Sequence, residues 1–340
     1  MQLFDLDYEL PPALIAQEPA VERTAARLLT VRRDGGALGH RRVADLPGEL
    51  RAGDLLVLND ARVIPARLRA RRPSGGRLEV LLVAAVDGGG DWEAIVRGTP
   101  RVGETVHFAE GGGEWTAALG DGRWRVRLDV GGAVLDWIER IGEIPLPPYI
   151  RRAGGPTVQD RERYQTVFAR APGAIAAPTA GLHFTPTLLA ELARGGVDAV
   201  TLTLHVGPGT FLPVRDGDLA HYTMSPERFT LPAATIERIE TARAAGGRIV
   251  AVGTTTVRAL ESAAAAGPLV PGAGEAALFI RPGHEFRLVD ALLTNFHLPR
   301  TPLLALVAAF AGPERIRVAY GEAVRYGYRF YSYGDAMLIV

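Results

Sequence analysis

The sequence predicts an α/β fold: a mixed sheet with flanking helices, carrying a small inserted β-barrel. Three observations predict it. The second half of the chain repeats strand, loop and helix in alternation, the grammar of a largely parallel or mixed sheet. Residues 62–130 have a different texture, short β-like runs cut by glycine at spacings of about ten residues, which reads as a small all-β barrel. A buried-strand run, ELRAGDLLVLND, precedes that stretch, so the barrel interrupts the α/β part. The expected domains are 1–61 with 150–340, discontinuous and α/β, and 62–149, the insert.

Taken in order, RLEVLLVAAV, WEAIVRG, RVGETVHFA, WTAALG and RWRVRLDV supply the barrel strands, separated by DGGGD and EGGGE. AVLDWIERIG has helical spacing, and Pro145, Pro147 and Pro148 then form a stiff connector. Thr185 is a suitable N-cap before Pro186; TLLAELAR gives the apolar face, and Gly195 and Gly196 end that helix. VDAVTLTLHV alternates, placing Val200, Leu202, Leu204 and Val206 on one face and Thr201, Thr203 and His205 on the other. RIVAV is a short buried strand, GTTT a turn and VRALESAAAA a helix; ALLTNF, HLPR and the helix opened by Thr301 and Pro302 repeat the pattern.

Composition narrows the chemistry. The chain has 340 residues, is 47% hydrophobic and has no cysteine; all 38 of its basic residues are arginine, balanced by 38 acidic ones. Thiolate nucleophiles, disulfides, cysteine metal sites and lysine Schiff bases are therefore excluded. No run reaches the roughly 18 apolar residues of a membrane span, and the N-terminus lacks the features of a secretion signal, so a cytoplasmic protein with no membrane partner is expected. Arginine clusters locally, with Arg62, Arg67, Arg69, Arg71, Arg72 and Arg77 in sixteen residues and the pair Arg151/Arg152 further on. Gathered on one surface, such groups neutralise phosphates.

The polar loops carry the candidate chemistry. His183, His205 and His297 each stand where an apolar run breaks, and strand ends are where ligands gather in an α/β sheet. Their long separations match no metal-ligand spacing. Gly253–Thr256 opens a helix whose first amides suit an anion or a ribose hydroxyl, or simply an N-cap. Asp335, after a turn glycine, is a carboxylate whose partial burial would make it a base, or a turn cap.

As ordered strings, FDLDYELPPALIAQEP, NDARVIPARL, ERYQTVFA, AAPTAGLHFT, TLHVGPGTF, AVGTTTVRALES, TNFHLP and SYGDAMLI closely resemble the S-adenosylmethionine:tRNA ribosyltransferase-isomerase family of queuosine biosynthesis, from about Phe4 to Ile339. The resemblance implies a transferase and isomerase that moves the ribosyl part of S-adenosylmethionine onto 7-aminomethyl-7-deazaguanine in the tRNA wobble position. Epoxyqueuosine forms, and adenine and methionine are released. It implies no metal and no bound cofactor, S-adenosylmethionine being a substrate, and the expected protein is a monomer whose macromolecular partner is tRNA. Proton removal beside the sulfonium needs acid–base groups, and the candidates are His183, His205, His297 and Asp335. Thr255, Arg258, Glu261 and Asn295 are the candidate contacts to S-adenosylmethionine. Arg62, Arg67, Arg69, Arg71, Arg72, Arg151 and Arg152 are the candidate phosphate contacts, with Tyr164 or Phe184 as a stacking ring. Two departures stand out: HYTMSPE keeps His221 and Glu227 of a more histidine-rich family string, and Arg300 with Thr301 replaces a Lys–Ser pair. The competing readings are a non-catalytic tRNA binder and an RNA methyltransferase, for which no GxGxG loop follows the first strand.

Overall fold

The computed structural model describes residues 7–86, 90–207 and 222–340. Three strands open the chain: β1 (Arg27–Val31), β2 (Gly39–Arg42) and, after the short helix α1 (Leu46–Glu49), β3 (Leu55–Asn59). β3 is LLVLN and is buried at all five positions, as a strand covered on both faces must be. The chain then leaves the sheet through β4 (Ala61–Val63).

The barrel follows. Its strands are β5 (Arg67–Arg71), β6 (Arg77–Ala85), β7 (Asp91–Arg97), β8 (Thr105–His107), β9 (Gly112–Gly120) and β10 (Arg123–Asp129), closed in the order β10-β7-β6-β5-β8-β9. Alternation explains it: in β7, for example, Trp92, Ala94 and Val96 point inward while their neighbours are less buried. Helix α2 (Val134–Ile141) contributes Trp137 and Ile138 to the core cluster that the barrel builds around Trp115 and Leu82.

The return passes through α3 (Val158–Arg163) and β11 (Ala171–Ala174), which pairs in parallel with β4. Then come α4 (Pro186–Arg194), β12 (Asp198–Leu204), β13 (Glu227–Leu231), α5 (Ala233–Ala244), β14 (Ile249–Val252), α6 (Thr254–Ala265), β15 (Gly272–Ala276), β16 (Ala291–Asn295), α7 (Pro302–Ala311), α8 (Pro313–Arg325) and β17 (Ala336–Ile339). Thr185 caps α4 as anticipated, its hydroxyl accepting from the Leu188 amide at 3.1 Å. The sheet has nine strands in the order β15-β13-β12-β3-β14-β16-β17-β1-β2. β12, β3, β14 and β16 are mutually parallel, whereas β17 runs antiparallel to β16. Successive residues feed opposite layers. Leu55, Val57, Ile249 and Ala251 pack under α5 to α8, while Leu56, Leu58, Val250 and Val252 pack against α1 and α4. Among the described residues no helix is long and apolar enough to cross a membrane.

The sheet is wider than the repeated strand–loop–helix pattern implies. β1, β2, β13 and β15 extend its two ends, and three of the pairings they make are antiparallel.

Candidate active site

Parallel strands end together, so their exit loops converge. Here the carboxyl ends of β14 and β16 flank a cleft of about 570 Å³, including its open mouth. One wall is the start of α6, with Gly253, Thr254 and Thr255; another is Asn295, Phe296 and His297; the segment 177–180 and Tyr331 with Ser332 complete it. Gly253 has φ +94°, a conformation that spares glycine the strain a side chain would cause, and its amide donates to the Leu293 carbonyl at 2.8 Å. That bond ties the two strand exits together and leaves the first amides of α6, which lack intrahelical acceptors, at the cleft wall.

Asn295 is the most constrained polar group in the cleft. Its Nδ2 donates to the Tyr331 carbonyl at 3.2 Å and lies 3.2 Å from His183 Nε2 and 3.5 Å from the Asp335 carbonyl. Two carbonyls on that side require the amide nitrogen there, so His183 Nε2 is the acceptor and its ring is neutral. Asn295 Oδ1 is then left buried with no hydrogen-bond partner. Tyr331, whose carbonyl fixes Asn295, has φ +73°, a rare state for an aromatic residue that is held by its amide bond to the Phe296 carbonyl at 3.0 Å. The Tyr149 ring packs 4.0 Å from the Tyr331 ring, centroid to centroid.

Burial sets the histidine chemistry. His297 lines the cleft with Nδ1 unpartnered, and desolvation pushes its pKa down to about 3. His183 is pushed to about 4, chiefly by burial, with Arg329 and Arg23 also disfavouring the cation and Asp335 partly compensating. Both rings are neutral at physiological pH. The backbone of His297 is pinned: its amide donates to the Tyr320 hydroxyl at 3.0 Å, and the Tyr8 hydroxyl donates to its carbonyl.

Thr255, Asn295 and His297 thus meet in one cleft, and His183 joins them through Asn295. Other candidates are placed elsewhere. Asp335, expected to be a base, is 2% exposed and accepts from the Arg27 amide, Arg27 Nε and Nη2 and the Arg329 amide at 2.8–3.1 Å. Its oxygens face guanidinium and amide donors, and it acts as a clamp between β1 and the 329–335 loop. Arg258 and Glu261 were expected at the substrate, but both are 1% exposed and lie outside the cleft. Arg258 is ion-paired with Glu227 and donates to the Ala276 carbonyl at 2.5 Å. Glu261 accepts from the Arg287, Leu288 and Val289 amides at 2.9–3.1 Å. His205 follows the end of β12 and lies over Gly173, not in the cleft, with Nδ1 unpartnered and its pKa lowered by burial. Tyr164 and Phe184 are fully buried, Tyr164 edge-on to Tyr333, so neither offers a face for stacking.

The arginines divide by partner. Arg72 and Arg152 are bidentate to Glu104 and Asp160. Arg62 pairs with Glu139, Arg69 with Glu143, and Arg67 donates to the Leu146 carbonyl at 3.1 Å. Arg71 and Arg151 are exposed and form no ion pair among the described residues. The HYTMSPE departure falls partly on His221, which lies outside the described residues, as do Pro208 and Gly209. Among the described residues no three His, Asp or Glu side chains come together as metal ligands.

Sequence reasoning passed over Tyr331 and Ser332, because attention to SYGDAMLI fell on its carboxylate. It also passed over Asn59, whose Nδ2 donates to the Leu204 carbonyl at 2.9 Å and whose Oδ1 receives the Ala61 and Leu204 amides.

A polar cleft at the carboxyl ends of parallel strands, with neutral imidazoles and an unpartnered amide oxygen, defines an α/β enzyme of the strand-end type with a barrel inserted after β3. The chain belongs to the queuosine biosynthesis protein family, whose sequence profile matches residues 3–339. It is 54% identical over 345 aligned positions to the S-adenosylmethionine:tRNA ribosyltransferase-isomerase of Anaeromyxobacter dehalogenans, covering 100% of this chain and 99% of that one. To the protein of the same name from Citrifermentans bemidjiense it is 51% identical, with 100% of both chains covered. The crystal structure of S-adenosylmethionine tRNA ribosyltransferase from Thermotoga maritima superposes with a TM-score of 0.56 at 37% identity, over 99% of this chain and 100% of that one.

Proposed function

We propose that this chain transfers and isomerises the ribosyl moiety of S-adenosylmethionine onto 7-aminomethyl-7-deazaguanine in tRNA, giving epoxyqueuosine and releasing adenine and methionine. Full-length identity above 50% to proteins of that name supports the reading. The observation that carries it at the level of chemistry is the cleft itself, where Asn295 Oδ1 and His297 Nδ1 are both unpartnered. Buried polar atoms without partners are costly unless a ligand completes them. Asn295 Oδ1 would accept from an exocyclic amine of the purine, and Thr255 would meet a ribose hydroxyl.

The reaction removes a proton beside the sulfonium and delivers one to departing adenine. His297 is neutral and so available to accept. Once protonated, it is buried without a counter-ion, and a pKa near 3 makes that imidazolium a strong acid. His183 holds Asn295 in register. No bound cofactor takes part in this scheme. Of the candidate arginines, Arg71 and Arg151 are exposed and would meet phosphates, and the reading carries with it a cytoplasmic monomer.

The test is product analysis. The purified protein is incubated with S-adenosylmethionine and tRNA carrying 7-aminomethyl-7-deazaguanine, and nucleosides and small products are measured by mass spectrometry. Epoxyqueuosine with equimolar adenine and methionine is expected; S-adenosylhomocysteine, or bound tRNA that stays unmodified, would overturn the proposal.

A further inference from the structure

Beside the cleft, and sharing Ser332 with it, lies a second, smaller crevice of about 270 Å³. Arg23, Arg163, His183 and Tyr333 line it, and no lining residue is acidic. Both guanidiniums are anchored by neutral groups. Arg23 donates to the Leu182 and Gln165 carbonyls at 2.7 and 2.9 Å, and Arg163 to the Val21 and Ala20 carbonyls at 3.1 and 2.6 Å. Arg163 Nε is buried with no partner. Among the described residues neither cation has a carboxylate within 4.0 Å: Asp335, close by, is taken by Arg27 and Arg329, and Glu162, which acts on Arg23, is exposed. Backbone carbonyls satisfy hydrogen bonds without neutralising charge, so two neighbouring guanidiniums face the crevice with no carboxylate bonded to either. Arg23 is accordingly pushed below its ordinary pKa, first by burial and then by Arg163.

We propose that the Arg23–Arg163 crevice binds one oxyanion, the charged end of a substrate whose neutral part occupies the cleft. Guanidinium forks match carboxylate and phosphate oxygens. The Asn295–His183 hydrogen bond stands between the two compartments and sets their spacing. The anion's owner rests on the proposed function: either the carboxylate of the methionyl arm of S-adenosylmethionine or a phosphodiester beside the acceptor base.

Two variants test it, Arg163→Gln and Ala20→Glu; the second puts a carboxylate at the half-buried rim without replacing either arginine. Affinity for S-adenosylmethionine is measured by calorimetry and tRNA affinity as a function of salt. A carboxylate ligand predicts that S-adenosylmethionine binding weakens at least tenfold in both variants, that decarboxylated S-adenosylmethionine binds wild type and variants alike, and that Arg163→Lys restores part of the loss. A phosphodiester predicts unchanged S-adenosylmethionine affinity and a salt slope reduced by about 0.9. Unchanged affinity and slope in folded variants, with wild type binding both ligands, would overturn the inference. Should wild type bind neither, the proposed function fails, and inorganic phosphate becomes the probe, followed through the His183 ring resonances. A phosphate-dependent shift in wild type that is absent in Ala20→Glu keeps the anion site; no shift in wild type removes it.

Discussion

Replacing Asp335 by Asn separates a structural carboxylate from a catalytic base. In the folded protein the carboxylate receives four hydrogen bonds, three of them at Oδ2 and one, from the Arg27 amide, at Oδ1. Asparagine can place its oxygen at the more crowded position, but its NH2 group then faces the Arg27 amide, donor against donor. An unsatisfied buried donor costs about 1–3 kcal/mol, and each of the two Arg27 guanidinium bonds weakens by roughly 1 kcal/mol once its acceptor is neutral. The sum is about 3–5 kcal/mol, and the lower end applies because the Arg27 side chain is 36% exposed and partly screened. Urea denaturation of the variant should therefore show about 3 kcal/mol less stability, while turnover of the fraction that remains folded falls much less than the roughly 100-fold expected for loss of a general base. Wild-type stability together with that 100-fold loss would refute the structural assignment.

His297→Gln should keep the fold and cut turnover by about 100-fold or more, with little change in S-adenosylmethionine affinity; near-normal single-turnover rates would remove the residue from the mechanism. Because burial holds His183 near 4 and His297 near 3, the unfolded chain binds more protons than the folded one below pH 6.5. Stability is then fully present above that pH and lost on acidification, by about 2 kcal/mol per histidine at pH 5; denaturation curves that superpose at pH 5 and 8 would contradict this. Glu261→Gln removes the carboxylate that gathers three backbone amides and should cost about 2–4 kcal/mol without raising KM for S-adenosylmethionine, whereas a large KM effect at wild-type stability would return Glu261 to the substrate. Arg71→Ala and Arg151→Ala should each lower the salt slope of tRNA binding by about 1, and Arg72→Ala, which breaks the Glu104 pair, should leave it unchanged; the reverse ranking would place the RNA on a different face.

The parts of the fold legible in the sequence are those where one periodicity dominates. IVAV, ALLTN and LLVLN are buried at every position and mostly apolar because both faces are covered, and β12 alternates because one face meets polar groups such as Asp60, which accepts from Thr203 at 2.5 Å. β13 and β15 were not legible: GAGEA carries almost no side-chain signal, and its pairing with ERFTL depends on neighbours distant in the chain. The same division runs through the site. Polar loops at strand ends pointed to Thr255, Asn295 and His297, since strand exits converge wherever the strands are parallel. Charge misled where the partner was remote. Nothing local to Asp335 announces Arg27, 308 residues away, and nothing local to Arg258 announces the Ala276 carbonyl on β15. The Arg62–Arg77 run likewise looks like a cationic surface until its pairs with Glu104, Glu139 and Glu143 are seen.

The most direct test of the account is to soak crystals of the protein with S-adenosylmethionine and locate the adenosine. The account predicts density in the cleft between the start of α6 and the end of β16, with a purine amine within hydrogen-bonding distance of Asn295 Oδ1 and the ribose between Thr255 and His297. Adenosine bound elsewhere, with Asn295 Oδ1 still unpartnered, would contradict it.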